Sequence, residues 1–221
     1  MEEIKCTLNR REFIKTVAGL YFYSKFFNPL SAAGNTKVIL VRDKNAVDDK
    51  MQCNQLIIQE MIDKAVCKLT EQEEINKAWA TLFKSSDIVG IKSNVWGFLP
   101  TPKEVEAAIK KRLLDIGIKQ ENISIDDRGV LSNPIFKKAT ALINVRPLRT
   151  HYWAGIGGCI KNYIMFVENP SDYHDEYCSP LGKIWKFPFI KNKTRLNILV
   201  ALTPLFYGTG PHHYNAKYVW S

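Results

Sequence analysis

The chain has 221 residues, 31 of them Lys or Arg against 22 Asp or Glu, for a formal charge of +9, and 46% are hydrophobic. This balance belongs to a globular protein with a sizeable core and excludes a disordered chain, a collagen-like repeat and a polytopic membrane protein. The positive excess favours anionic partners without choosing among small molecules, phosphates, nucleic acid and membrane surfaces. Five cysteines with no C-x-x-C pair exclude zinc-ribbon and ferredoxin-type spacing and are too few for a disulfide scaffold.

At the N-terminus, Asn9-Arg10-Arg11-Glu12-Phe13-Ile14-Lys15 precedes an uncharged apolar stretch from Thr16 to Ser24, and Ser31-Ala32-Ala33 supplies small residues beyond it. The order resembles the bacterial twin-arginine export signal, with Asn9 where that pattern has Ser or Thr. The apolar run is shorter than the ~20 residues needed to span a bilayer, so the expectation is a removable signal peptide over residues 1–33 with no stable membrane span. The resemblance implies the twin-arginine export machinery as a partner and a periplasmic or otherwise exported location. That route carries folded proteins, often with a cofactor inserted, but the sequence identifies no cofactor. Cys6 would leave with the leader; Cys53, Cys67, Cys159 and Cys178 would remain, with three possible pairings. Cys53 and Cys67 fall on one predicted helix, roughly 21 Å apart, beyond the ~7 Å a disulfide can bridge.

The rest, residues 34–221, is expected to form a single α/β domain. Lys37 to Arg42 has strand character, and residues 51–68 carry Leu56, Met61 and Ala65 near helical spacing, with Leu69 just beyond and Ile57, Ile58 and Ile62 widening the apolar face. Thr70-Glu71-Gln72-Glu73 has the form of a capping box for a second helix ending near Phe83. Asp87 to Lys92 reads as a buried strand. Thr101-Pro102-Lys103-Glu104 is a second capping box, followed by Val105, Ala108, Ile109 and Leu113 on one helix face and a stop at Gly117. Asn122 to Asp126, Ala139 to Val145 and Leu196 to Leu202 complete the strands. The alternation predicts an open, mostly parallel sheet with flanking helices. The short interval from Asp127 to Lys138 leaves little room for a crossover helix, which suggests one antiparallel strand. All four histidines and 14 aromatic residues lie in residues 151–221, marking a loop-rich aromatic C-terminal part that either packs its rings on the sheet or walls a ligand.

Gly155-Ile156-Gly157-Gly158 lacks the third glycine of a dinucleotide loop, and no Walker loop, G-x-S-x-G elbow or H-E-x-x-H occurs. His174, Asp175, Glu176 and Cys178 lack diagnostic metal spacing and read as a solvated polar loop, so no metal is assigned. Lys110-Lys111-Arg112 and Lys137-Lys138 read as solvated faces; with no recognition module, nucleic acid is not assigned as a partner. More informative are residues equivalent in position at strand ends: Lys92 and Asn94, then Asp126, Asp127 and Arg128, then Arg146, Arg149 and His151, with Lys161-Asn162 in a glycine-bearing segment beyond. The carboxyl ends of strands in an open parallel sheet form the binding crevice, so these side chains would share one basic rim.

Several of these runs also resemble domain-of-unknown-function family 362: Trp79 to Phe83 with Asp87 to Asn94, Asp126-Asp127-Arg128, Leu142 to His151, and Gly158 to Asn162. The likeness spans about residues 37–219. Its most specific parts are a strand ending in Lys-x-Asn and a Thr-His followed ten residues later by Lys-Asn. The interval from Arg128 to Leu142 is shorter than that family's, and its members continue through another strand beyond the position of Ser221, so the likeness reads the domain as incomplete at its C-terminus. The family is bacterial and archaeal, often exported or fused to iron–sulfur modules, and has no assigned general activity. The resemblance implies a shared functional rim. On the combined reading the protein binds an anionic small molecule or cofactor: Lys92, Asn94, Arg128, Arg149 and Asn162 hold it, and His151 and Lys161 are the catalytic candidates if acid–base chemistry follows. The alternative is a non-catalytic periplasmic or envelope-associated binding protein using the same cations.

Overall fold

Each strand residue points to the face opposite its neighbours, and in this chain the two faces carry different chemistry. A computed structural model of the chain describes residues 36–207 and 217–218; the signal-like segment over residues 1–33 and the His212-His213 pair lie outside the described residues. The described residues from Ile39 onward make one compact unit. Its helices are α1 (Gln55–Thr70), α2 (Ile75–Leu82), α3 (Lys103–Asp115), α4 (Pro134–Lys138) and α5 (Cys159–Asn162), with short helical turns between Tyr163 and Ile184. Its strands are β1 (Val89–Lys92), β2 (Ile123–Asp126), β3 (Ala141–His151), β4 (Gly155–Gly157), β5 (Thr194–Tyr207) and β6 (Lys217–Tyr218).

Among the described residues these strands form one open sheet in the order β2-β1-β3-β5-β6, with β4 paired to β3. β1 runs parallel to β2 and β3, and β3 parallel to β5; only β4 and β6 are antiparallel to their neighbours. On one face, Val89 and Ile91 of β1 and Ile143 and Val145 of β3 pack against Ile58, Ile62 and Val66 of α1, Trp79 of α2, and Ile109 and Leu113 of α3. On the other, Leu142 joins Phe136 of α4 and Tyr163, Ile164 and Phe166. Gly90 faces this second layer, because a Cβ there would lie 2.8 Å from the Phe136 ring and 2.9 Å from Leu142. Alternation then sends Lys92, Asn144 and Arg146 to the same side.

At the amino ends of these strands, Asp87 ties three of them together. Its carboxylate accepts from the Arg195 guanidinium at 2.6 and 3.1 Å, from the Thr140 hydroxyl at 2.7 Å and from the Lys84 N–H at 2.7 Å. Burial pushes this carboxyl up, but the Lys84, Thr140 and Arg195 donors outweigh it and hold it below the usual range.

Several local expectations change. The crossover from β2 to β3 is parallel after all: α4 needs only five residues, because Pro134 opens it and Asn133 caps it by accepting from the Ile135 and Phe136 N–H groups. Neither capping box forms. Thr70 is the last residue of α1 and donates to the Val66 carbonyl, while Thr101 accepts from the Asn94 N–H and so fixes the loop after β1. Lys37 to Arg42 pairs with no strand among the described residues. Cys53 precedes α1 and forms an isolated bridge with Val47; it and Cys67, Cys159 and Cys178 are separate thiols.

The contact at Gly90 sets a test. Gly90→Ala should destabilise the protein by about 1–3 kcal/mol through overpacking. Adding Phe136→Leu should recover part of that loss, giving a non-additive double-mutant cycle in urea denaturation.

Candidate functional site

In the sheet order, the chain leaves β1 for β2 on one side and returns to β3 on the other, so a crevice opens at the carboxyl ends of β1 and β3. A cavity of about 630 Å³ lies there. Asn94, Arg128, Arg149, His151, Lys161 and Asn162, drawn from four separate stretches of sequence, all line it. Lys92 does not: it is fully buried beneath the cavity floor.

The floor is a polar network. The Lys92 ammonium pairs with Asp127 and donates to the Ser93 carbonyl at 2.7 Å. Asp127 also accepts from the Val95 N–H at 2.8 Å. Burial pulls Lys92 down to about 8, while Asp127 acts in the opposite direction. Asn162 joins the strands above this pair: its amide nitrogen donates to the carbonyls of Lys92 (3.1 Å) and Val145 (2.9 Å) and to the Asn144 side chain (2.9 Å). Its oxygen accepts from Asn94 at 3.3 Å and Lys92 at 3.4 Å. Asn144 in turn donates to the Cys159 carbonyl and to Asn197, both at 2.9 Å. These bonds anchor α5, and with it Lys161, over the ends of β1 and β3.

The walls are cationic. Arg146 is 2% exposed, yet it makes no hydrogen bond or ion pair among the described residues, and the Nε atoms of Arg146 and Arg149 are both buried without partners. Simple alternation would send these two arginines to opposite faces, but the pairing of β3 with β5 is interrupted between Pro147 and Arg149, and both reach the same cavity. Gly157 permits the close approach: a Cβ there would stand 3.2 Å from Arg146 Nη2 and 3.3 Å from Arg149 Cγ. The Arg149 guanidinium lies over the Trp96 ring at 3.8 Å, a cation–π contact that supports its charge while leaving its N–H groups unused. Burial pulls Arg146 down to about 10 and Arg149 to about 9, and both stay charged at neutral pH.

Lys161 and two imidazoles complete the site. Lys161 Nζ lies 2.8 Å from His174 Nε2, and the His174 ring stacks on His151 at 5.9 Å and meets Trp153 at 5.0 Å. Burial lowers Lys161 to about 8, and Arg146 and Arg149 push the same way. Burial also lowers His151 to about 3, assisted by Lys161 and His174. His151 Nδ1 accepts from the Ala154 N–H at 3.2 Å, so the neutral ring carries its proton on Nε2 and serves as a hydrogen-bond donor. Burial raises the Cys159 thiol to about 11, which removes it as a thiolate. Among the described residues, no group of three or more His, Cys, Asp or Glu side chains gathers as a metal site.

His174 lies in a stretch that reads as a solvated polar loop, and Trp96 stands alone in sequence; the fold brings both to the cavity. The one available signal was the crowding of aromatic and histidine residues beyond residue 150. No family model, curated protein or solved structure matches the chain.

Two measurements test this geometry. Asp127→Asn should cost about 3–5 kcal/mol by leaving Lys92 buried and unpaired, and Lys92→Met in the same chain should return much of that loss. In NMR titration of the unliganded protein, His151 should stay neutral well below pH 6.5; a midpoint near the ordinary histidine value would contradict the buried, cation-flanked setting.

Proposed function

We propose that the protein binds an anionic small molecule in this cavity. The observation that carries the reading is the charge balance. Lys92 and Asp127 compensate each other, which leaves Arg146, Arg149 and Lys161 at the wall with no carboxylate in hydrogen-bond range among the described residues. Buried cations without counter-ions are costly, and a bound carboxylate or phosphate offsets that cost through charge-assisted hydrogen bonds. Arg128 at the exposed mouth extends the positive field outward and would steer an anion inward.

The resemblance to domain-of-unknown-function family 362 supports the same place. Its most specific segments are Lys92-x-Asn94, Thr150-His151 and Lys161-Asn162, which meet at the cavity or directly under its floor. The twin-arginine-like N-terminus adds the proposal that binding takes place in the periplasm or otherwise outside the cytoplasm. Acid–base chemistry remains the second reading. The depressed Lys161 and the neutral, proton-bearing His151 favour it, since both can exchange or donate a proton near a bound anion.

Removing the buried charge separates a binding site from a structural arginine. Arg146→Met should leave the unliganded protein as stable as the wild type or more so, while abolishing stabilisation by phosphate or small carboxylates in thermal-shift titrations. In the wild type, anion affinity should fall as pH rises through about 8, because Lys161 then loses its proton. An Arg146→Met protein that is strongly destabilised without any anion, or that keeps the wild-type anion response, counts against the proposal.

A further inference from the structure

The arrangement around Lys161 goes beyond holding an anion. Its ammonium is buried in the cavity wall, has no carboxylate partner among the described residues, and sits 2.8 Å from an imidazole nitrogen. An ammonium can only donate, so Nε2 is the acceptor facing Lys161, and burial with Lys161 beside it holds His174 below the usual imidazole range. A nucleophile with a base within hydrogen-bond range is the core of the recurring constellation of covalent catalysis, and here the base ring is stacked on His151 and packed against Trp153. Arg146 and Arg149 stand beside it with unused N–H groups.

We propose that Lys161 is an amine nucleophile that forms an imine with an anionic carbonyl compound of the 2-oxo acid class, whose carboxylate is held by Arg146 and Arg149. This deepens the anion-binding reading and rests on it. In the step, His174 Nε2 takes one proton from the Lys161 ammonium, and the released lone pair forms a C–N bond as the carbonyl π pair moves to oxygen. That oxygen takes a second proton from nitrogen, becoming a hydroxyl, then takes back the proton held by His174 and leaves as water while nitrogen forms the C=N bond. Of the three ammonium protons, two end on water and one on the iminium nitrogen, which keeps the positive charge. No oxidant or reductant is consumed.

The electrostatic setting supports the geometry. Burial, with Arg146 and Arg149 behind it, holds Lys161 near 8, so neutral amine is present at ordinary pH. The titratable groups facing it are Arg146, Arg149 and His151 from β3, His174 and Cys178 from the loop beyond α5, and Asp127 across the cavity. His151, with its proton on Nε2, is a donor for the carbonyl oxygen.

The test uses the full chain incubated with pyruvate and sodium cyanoborohydride, followed by peptide mapping. The expected product is a single addition, pyruvic acid less one oxygen, on Lys161 ahead of the other lysines. It should form roughly ten- to a hundredfold faster than the adduct of the neutral carbonyl hydroxyacetone, because only pyruvate brings a carboxylate to the arginines. Lactate, which has the carboxylate without the carbonyl, should slow it and should raise the thermal midpoint by itself. His174→Gln should retain the lactate response and lose adduct rate by about a hundredfold. Lys161→Arg should lose the adduct; where that variant does not fold, the mapped position in the wild type decides. Adducts spread over exposed lysines, with lactate still stabilising the protein, overturn the imine proposal and leave anion binding standing. No adduct on Lys161 and no stabilisation by lactate or phosphate overturn both.

Discussion

The Asn162 side chain is the junction on which the site depends. Its amide nitrogen has two hydrogens and meets three acceptors, from Lys92, Asn144 and Val145, so at least one hydrogen is shared. Its oxygen takes Asn94 and Lys92. In a buried setting the Asn162 amide has no water to turn to, and the network it makes with three segments specifies one arrangement of α5 against β1 and β3. Lys161 precedes Asn162 in the same helical turn, so the junction that closes the floor also sets the position of the amine in the wall.

The two faces of the sheet differ in what they bury. The face under α1, α2 and α3 is filled by aliphatic residues with Trp79 and Phe83, and Ile109 and Leu113 are fully buried there. The opposite face begins as a second apolar cluster around Phe136 and Tyr163, then turns polar along the same strands at Lys92, Asn144 and Arg146. A charge on that face can be kept only by pairing or by a ligand. Lys92 uses the first route, through Asp127; Arg146 has no such partner among the described residues, and Arg149 rests on the Trp96 ring. On the proposed function, an anion in the cavity would offset the cost of burying these charges, which would couple binding to the stability of this part of the molecule.

The aromatic residues beyond residue 150 follow both routes open to them. Tyr163 packs against Phe166 at a ring distance of 5.1 Å and against Trp185 at 4.5 Å, within the apolar cluster that Leu142 joins. Trp153 instead meets His174 and His151 at the cavity. Composition announces the rings but not this division, which follows from where β4 turns the chain back along the end of β3.

Read alone, the sequence determined the open, mostly parallel sheet, the apolar face of α3, the strand ends that supply Asn94, Arg128, Arg149 and His151, and the segment beyond them that carries Lys161 and Asn162; on α1 the stripe through Leu56 is displaced, since Leu56 is exposed while Ile58, Ile62 and Val66 are buried. Those features are local: side-chain periodicity and the position of polar residues after a strand are written in consecutive residues. Tertiary structure alone decided the remainder. It withdrew Lys92 from the wall, because Asp127, 35 positions later, reaches it across the β1–β2 ladder. It also brought Trp96 under Arg149 and His174 onto Lys161. Each of these outcomes depends on which distant group arrives first at a buried charge or donor, and no window of consecutive residues contains that information.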